Sequence, residues 1–209
     1  ETTDYTPDTQ STGRRSLRYS ALALIAAADA NRGLALATVE LAKPHSMTAE
    51  IGALSAVLSN GDAAPLLEQF LQRHREDHLL VDKWFMMAAH VPLPGAATRV
   101  EALLQHPLFT WTTPNRVYAL IGGLSGNLAG FHAEDGAGYR VVADAIVRLN
   151  SINPQVASRM ATGFRSWRQF DAARKAHAES QMRRVLATPN LSPKRGASVT
   201  RHGPCGPRR

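Results

Sequence analysis

The segment 74–78 reads HREDH, in which two histidines four residues apart enclose two carboxylates. On a helix, residues i and i+4 project from the same face, so His74 and His78 could bind one metal ion. Zinc peptidases use that spacing with a Glu directly after the first His, or directly before the second, as general base. Here Arg75 and Asp77 occupy those positions, and no third ligand stands in a recognisable motif. We interpret HREDH as a polar, solvated helix end without metal; a hydrolase using both histidines stays open as an alternative.

The composition is typical of one globular domain with its own core: 209 residues, of which 44% are hydrophobic and 20% charged. The longest apolar run, residues 21–28, is too short to span a bilayer, and the polar N-terminus shows no signal peptide. We therefore expect no membrane association. The single cysteine, Cys205, is compatible with a reducing compartment, and we expect a cytoplasmic location.

The positive charge is concentrated at the C-terminal end. Residues 191–209 hold five Lys and Arg side chains and no acidic one, so they contribute +5 of the net +7. Because the rest of the chain is nearly neutral and lacks a basic stripe, we predict no nucleic-acid partner. We expect the tail, rich in Pro, Gly and Arg, to be disordered. It is either the product of a shifted reading frame or a genuine basic tail for an anionic partner.

Apolar residues recur at helical spacing along the chain, as in the stripe of Leu17, Ala21, Leu24 and Ala28. No segment alternates with period two, so strands are not expected. The pattern predicts an all-α fold of roughly ten helices joined by short turns, arranged as an α-solenoid-like stack of antiparallel pairs. The predicted core residues are Leu54, Leu67, Phe70, Trp84, Phe85, Leu104, Ile121, Tyr139, Val156 and Trp167.

Local signals place several helix starts. We expect Asn115 to cap a helix that runs through Leu124, and Asn153-Pro154 to start another. In the segment FHAEDGAGY, residues 131–139, glycines predict a tight turn before a helix, with the acidic pair in solvent or near the N-terminus of that helix. A final amphipathic helix is expected over residues 171–186. The expected organisation is a polar lead-in over 1–12, cut from a longer protein upstream, a helical domain over 13–190, and the tail over 191–209.

Several segments together resemble one family. They are MTAEIGALSAVLSNGD at 47–62, VDKWF at 81–85, RVEALLQHPLFT at 99–110, PNRVYALIGG at 114–123, FHAEDGAGYRVVADAIVRLNSINPQVASR at 131–159 and RQFDAARK at 168–175. In this order they are similar to the C-terminal helical domain of bacterial aminopeptidase N, a family of zinc-dependent aminopeptidases. The resemblance covers residues 5 to 192.

The resemblance implies that zinc, its ligands and the general base lie in a catalytic domain outside this chain, which has neither H-E-x-x-H nor the amine-binding Gly-Ala-Met-Glu-Asn loop. We expect no cofactor here, no catalytic residue, and no activity of the chain alone. Family members place the Gln and Arg of NPQVASR on the prime side of the substrate channel, which implies substrate contacts for Gln155 and Arg159. Alternatively, Arg159 pairs with a carboxylate of the domain or is solvated. Tyr118 stands where an Arg is common in the family.

The implied function is that of a non-catalytic lid, which caps the catalytic domain and restricts access to peptides. Its expected partners are that catalytic domain and peptide substrates, and the separated chain is expected to self-associate through an exposed apolar face. The alternative is a free-standing helical scaffold that binds peptides or a partner protein. An in-frame H-E-x-x-H upstream of residue 1 would separate the two hypotheses.

Overall fold

The computed structural model describes residues 7–43, 46–59 and 63–189, and every regular element among them is helical. Contacts divide the chain into two compact units, Glu1–His74 and Arg75–Arg209. The tail predicted over 191–209 lies outside the described residues. The first helix begins at Thr9, inside the segment 1–12 that the sequence suggests as a lead-in. In the described part of the chain, no helix is both long enough and apolar enough to cross a membrane.

The first unit contains four helices among its described residues: α1 (Thr9–Ala28), α2 (Ala30–Leu41), α3 (Met47–Val57) and α4 (Ala64–His74). Three of these helices have a side-chain cap at the N-terminus. The side-chain oxygens of Asp8, Asp29 and Ser46 each accept a hydrogen bond from a backbone N–H in the first turn of α1, α2 and α3, respectively. Helices α1, α2 and α3 all pack against one another. The approach of α1 to α2 requires Gly33, because a Cβ there would lie 2.4 Å from the Cα of Ala26.

The periodicity predicts α1 but not its buried face. Leu17 and Leu24 are each 73% exposed, and Ala21 and Ala28 are exposed as well. The buried residues of α1 are Arg15, Leu22 and Ala26. The stripe therefore faces solvent, because the side of α1 that packs inside the unit is the one that carries Arg15, Leu22 and Ala26.

HREDH is a helix end, as expected, but it does not lie on one continuous helix. Helix α4 ends at His74, and the next helix begins at His78. Asp77 starts that helix as its cap, its Oδ1 accepting hydrogen bonds from the backbone N–H of Leu79 at 2.8 Å and of Leu80 at 3.3 Å. Because the two histidines belong to different helices, the i, i+4 geometry on which a shared metal ion depends does not exist.

The second unit contains, among its described residues, eight α-helices, one π-helical segment and one 3₁₀ segment. They are α5 (His78–His90), α6 (Ala96–Leu103), α7 (Pro114–Val117), α8 (Gly123–Gly126), α9 (Leu128–Phe131), α10 (Ala137–Ile152), α11 (Pro154–Ala161) and α12 (Ala172–Leu186), with a π-helical segment (Tyr118–Gly122) between α7 and α8 and a 3₁₀ segment (Thr162–Gln169) between α11 and α12. The single helix predicted from Asn115 is thus divided. Asn115 does not cap it, because α7 already starts at Pro114, and Thr113 occupies the N-cap position without a side-chain capping hydrogen bond.

The core of the second unit is aromatic. The ring of Phe131 lies edge-on to Tyr139 at 5.0 Å and to Phe164 at 5.3 Å, and all three side chains are buried. Gly138 permits this packing, because a Cβ there would lie 2.5 Å from the backbone oxygen of Gly130. Nine of the ten predicted core residues, in both units, are buried. The exception, Leu104, is half-buried at the end of α6.

Candidate functional site

Gln155 and Arg159 lie on α11, whose start the sequence predicts correctly. Asn153 caps this helix, its Oδ1 accepting from the backbone N–H of Gln155 at 3.1 Å and of Val156 at 3.2 Å, and Pro154 follows as the first helical residue. Both predicted substrate contacts are exposed. Their exposure leaves their polar groups accessible to a ligand.

Arg159 lines a cleft of about 800 Å³ in the second unit. Helix α5 contributes Met86 and His90 to this cleft, the π-helical segment contributes Tyr118, and the 3₁₀ segment contributes Arg165. Gln155 is not among the lining residues. Of the two predicted residues, Arg159 therefore lies at the cleft, whereas Gln155 lies on the same helix outside it.

The guanidinium of Arg159 lies over the ring of Tyr118, 5.1 Å from its centroid. This cation–π contact orients the arginine while leaving its N–H groups free to donate at the edge of the ring. Tyr118 opens the π-helical segment, a feature found frequently at functional sites. Tyr118 is therefore part of the cleft and in contact with Arg159.

Small residues let the cleft walls approach one another. A Cβ at Gly126 would lie 2.9 Å from Cε1 of His90, and a Cβ at Gly163 would lie 2.9 Å from Oγ of Ser125. Asn127 is buried and fixes the end of α5, because its Nδ2 donates to the backbone oxygen of Ala89 at 3.1 Å and of Val91 at 2.8 Å. The wall that carries His90 is therefore held by a buried side-chain amide.

Two hydroxyl groups of the cleft, those of Ser125 and Thr162, donate inside the protein. Ser125 Oγ donates to the backbone oxygen of Ile121 at 3.1 Å, and Thr162 Oγ1 donates to that of Arg159 at 2.7 Å. Both oxygens keep lone pairs, so they can accept an N–H from a ligand. Ser166, also in the lining, has its Oγ 3.3 Å from Nε2 of His132.

His132 lies behind the cleft and does not act as a cation there. Its side chain is buried, and its Nδ1 lies 2.6 Å from the hydroxyl of Tyr139. Burial, followed by the positive charge of Arg174, lowers the pKa of His132 to about 4. Burial likewise raises the pKa of Tyr139 to about 12. Both groups are neutral at pH 7, so they contribute hydrogen bonds and packing.

The rest of FHAEDGAGY forms the predicted turn. Gly136 adopts φ +69° and precedes α10. Asp135 Oδ1 accepts the backbone N–H of Ala137 at 2.9 Å, while Glu134 and Asp135 are both exposed. Arg116, in the matched segment PNRVYALIGG, is buried, and its Nε donates to Asp82 Oδ1 at 2.5 Å. These motif residues stabilise the fold.

Within the described residues, the histidines of HREDH are not arranged as ligands of one zinc ion. His74, the first histidine of HREDH, is engaged by Glu50, whose Oε2 lies 2.9 Å from its Nε2 and which also pairs with Arg73. In the part of the chain that the structure describes, no three His, Cys, Asp or Glu side chains are grouped to hold a metal.

Fold and cleft together define an all-α helical-repeat domain. The chain belongs to the DUF3458_C family, a domain of unknown function described as ARM repeats, whose model matches residues 1–202. ARM repeats are an α-solenoid architecture, so the predicted fold class is confirmed.

Similar proteins place this domain inside aminopeptidases. Aminopeptidase N of Escherichia coli K12 is 32% identical over 194 residues, covering 90% of this chain and 22% of that protein. Aminopeptidase N of Caulobacter vibrioides is 34% identical over 192 residues with the same coverage. The crystal structure of Legionella pneumophila aminopeptidase A in complex with aspartic acid matches with TM-score 0.87 and 27% identity, over 97% of this chain and 25% of that one. The resemblance to the C-terminal helical domain of bacterial aminopeptidase N is confirmed, and the chain spans about a fifth of the length of these curated relatives.

Proposed function

We propose that this chain is the non-catalytic lid domain of a zinc-dependent aminopeptidase and that it holds the prime side of peptide substrates. The sequence relatives support this proposal, because each is an aminopeptidase N of which the chain covers only a part. The partner of the domain is then the catalytic domain of the same enzyme. Zinc, its ligands and the general base belong to that partner, and this chain contributes no chemical step.

The observation that carries the substrate role is the position of Arg159 on the wall of the cleft of about 800 Å³, oriented by Tyr118. A guanidinium donates two parallel hydrogen bonds to a carboxylate, which suits the free C-terminus of a short peptide. Ser125 and Thr162 accept peptide N–H groups beside it. Gln155 lies outside the lining of the cleft, so we assign it contact with longer peptides only.

A peptide-degrading role agrees with a cytoplasmic location. The lone Cys205 offers no partner for an internal disulfide, as is usual in a reducing compartment. We propose that the enzyme acts there on peptides and unstructured chains, which the lid admits while it excludes folded proteins.

Replacing Arg159 by Ala in the full-length enzyme tests the substrate role. We expect kcat/KM for tripeptides with a free C-terminus to fall about ten- to a hundredfold relative to alanyl amide reporters, which end before this subsite. Arg148→Ala is the matched control, since Arg148 is exposed, lies over Trp111 at 4.5 Å and is not in the cleft lining. It removes the same charge and the same kind of ring contact.

If kcat/KM falls equally for tripeptides and amide reporters and Tm also falls, then Arg159 stabilises the fold and does not contact the substrate. The same conclusion would follow if Arg148→Ala changed the ratio of tripeptide to reporter rates as much as Arg159→Ala does.

A further inference from the structure

We propose that the cleft selects peptides with an acidic side chain on the prime side, and that Arg165 is the residue that recognises it. This inference rests on the proposed function, since it assigns a substrate class to the same cleft. It concerns a second carboxylate, beyond the free C-terminus assigned to Arg159.

Among the described residues that line the cleft, all permanently charged side chains are positive. Arg159 and Arg165 both line it, His90 adds imidazole nitrogens, and the described lining residues include no Asp or Glu. His132, behind Ser166, is neutral because burial lowers its pKa to about 4. Two guanidinium groups without a lining carboxylate attract an anionic ligand more strongly than a neutral one.

The arginines are the permanently charged donors among the described residues that line the cleft. The hydroxyl groups of Ser125 and Thr162 donate to backbone oxygens, so toward a ligand these two side chains act as hydrogen-bond acceptors. A carboxylate only accepts hydrogen bonds, so it binds to the guanidinium N–H groups and not to the two hydroxyl oxygens. A peptide with two carboxylates therefore matches the two arginines, and the hydroxyl oxygens match its backbone N–H groups.

The spacing of the arginines suits one short peptide. Arg165 follows Arg159 by six positions along α11 and the 3₁₀ segment, which corresponds to about 10 Å along the helix axis. An extended peptide advances about 3.3 Å per residue, so a C-terminal carboxylate and an acidic side chain one to three residues away span a comparable distance. Arg165 is exposed, so we expect a modest effect that salt weakens.

The experiment compares peptide pairs that differ in one charge, Ala-Glu-Ala against Ala-Gln-Ala and Ala-Glu-Ala-Ala against Ala-Gln-Ala-Ala, with the full-length enzyme at low salt. The Glu then lies one or two residues from the C-terminal residue. We expect the wild-type enzyme to prefer the Glu member of at least one pair by roughly two- to fivefold in kcat/KM, and 0.5 M salt to reduce that preference. Arg165→Ala should bring the ratio close to one, and Arg165→Lys should keep part of it. Arg168→Ala should leave the ratio as in the wild type, because Arg168 is exposed on the same segment, lies over Trp167 at 4.8 Å and does not line the cleft.

A wild-type enzyme without any Glu preference would overturn the inference, as would an Arg165→Ala variant that keeps the preference. The effect of Arg159→Ala separates this failure from that of the proposed function. If Arg159→Ala impairs tripeptides selectively while the Glu preference is absent, only the acidic selectivity is lost. If Arg159→Ala also shows no selectivity, the prime-side role of the domain fails with it.

Discussion

His132 stands next to the cleft and yet adds no charge to it, because its neighbours are hydrogen-bonding and aromatic groups. Phe170 stacks on its ring at 3.7 Å, and its two nitrogens face Tyr139 and Ser166. Its backbone oxygen accepts from Arg174 Nε at 2.8 Å, which places a fixed positive charge close by. A buried imidazole in this setting resists protonation, and that resistance has a measurable consequence for stability.

The unfolding free energy of the chain should depend on pH through His132. A histidine in the unfolded chain titrates near pH 6.5, whereas in the folded protein the pKa of His132 is lowered to about 4. Above pH 6.5 neither state binds the proton; as the pH falls toward 4, only the unfolded state does, so stability is lost. The loss amounts to about 3 kcal/mol.

Urea unfolding of the wild-type chain and of His132→Gln at pH 7.5, 5.5 and 4.5 measures this effect. We expect the advantage of the wild type over the variant to shrink as the pH falls, because other titrating groups cancel in the difference. A difference that stays constant over this range would show that His132 is not protonated on unfolding.

At the scale of single residues, the sequence identifies Arg159 only because it stands in a matched motif, and it misses Arg165 and His90. Nothing distinguishes Arg165 in the sequence RSWR, since a second exposed arginine, Arg168, follows three positions later. Its place in the cleft depends on the 3₁₀ segment and on packing against α8, neither of which local spacing predicts.

At the scale of elements, strong local signals are predicted correctly and competing ones are not. Asn153-Pro154, Gly136 and Asp171 each start a helix as expected, because one residue provides the cap or the turn. At HREDH the four-residue spacing of the histidines is typical of one helix, whereas one helix ends at His74 and Asp77 caps the next. The division of the predicted helix after Pro114 has the same origin, because a π-helical segment keeps a helical pattern.

Asn153 joins two helices, so its replacement tests how α11 is positioned. Its backbone N–H closes α10 by donating to Leu149 oxygen at 2.9 Å, and its side chain caps α11. Asn153→Ala should lower the unfolding free energy by about 1 kcal/mol, and Asn153→Asp should restore most of it, because Asp caps as well as Asn.

Thermal or urea unfolding of the three proteins provides the measurement. Equal stability of Asn153→Ala and the wild type would mean that solvent replaces the cap without cost. A loss that Asp does not restore would place the role of Asn153 elsewhere than in capping.

At the scale of the whole molecule, the all-α class follows from the sequence, because helical periodicity recurs in every long segment. Which helix faces are covered does not follow from it, as the stripe on α1 shows. Burial depends on which neighbour an apolar face meets, and the chain spans about a fifth of its curated relatives. In the proposed enzyme, the remainder of the protein provides neighbours that the separated chain lacks.

The exposed stripe of α1 should make the separated chain self-associate. Leu17, Ala21, Leu24 and Ala28 follow the alternating four- and three-residue spacing of a coiled-coil seam, and both leucines are 73% exposed. Pairing of two such stripes removes apolar surface from water, which favours a dimer at high concentration.

Sedimentation velocity from about 1 to 100 μM should therefore show concentration-dependent association in the wild type. The double variant Leu17→Asp, Leu24→Asp should stay monomeric, whereas Leu79→Asp should associate like the wild type, since Leu79 is a 68% exposed leucine on α5, outside the stripe. A wild-type chain that is monomeric at every concentration would contradict the prediction, and association that survives the double variant would move the interface away from α1.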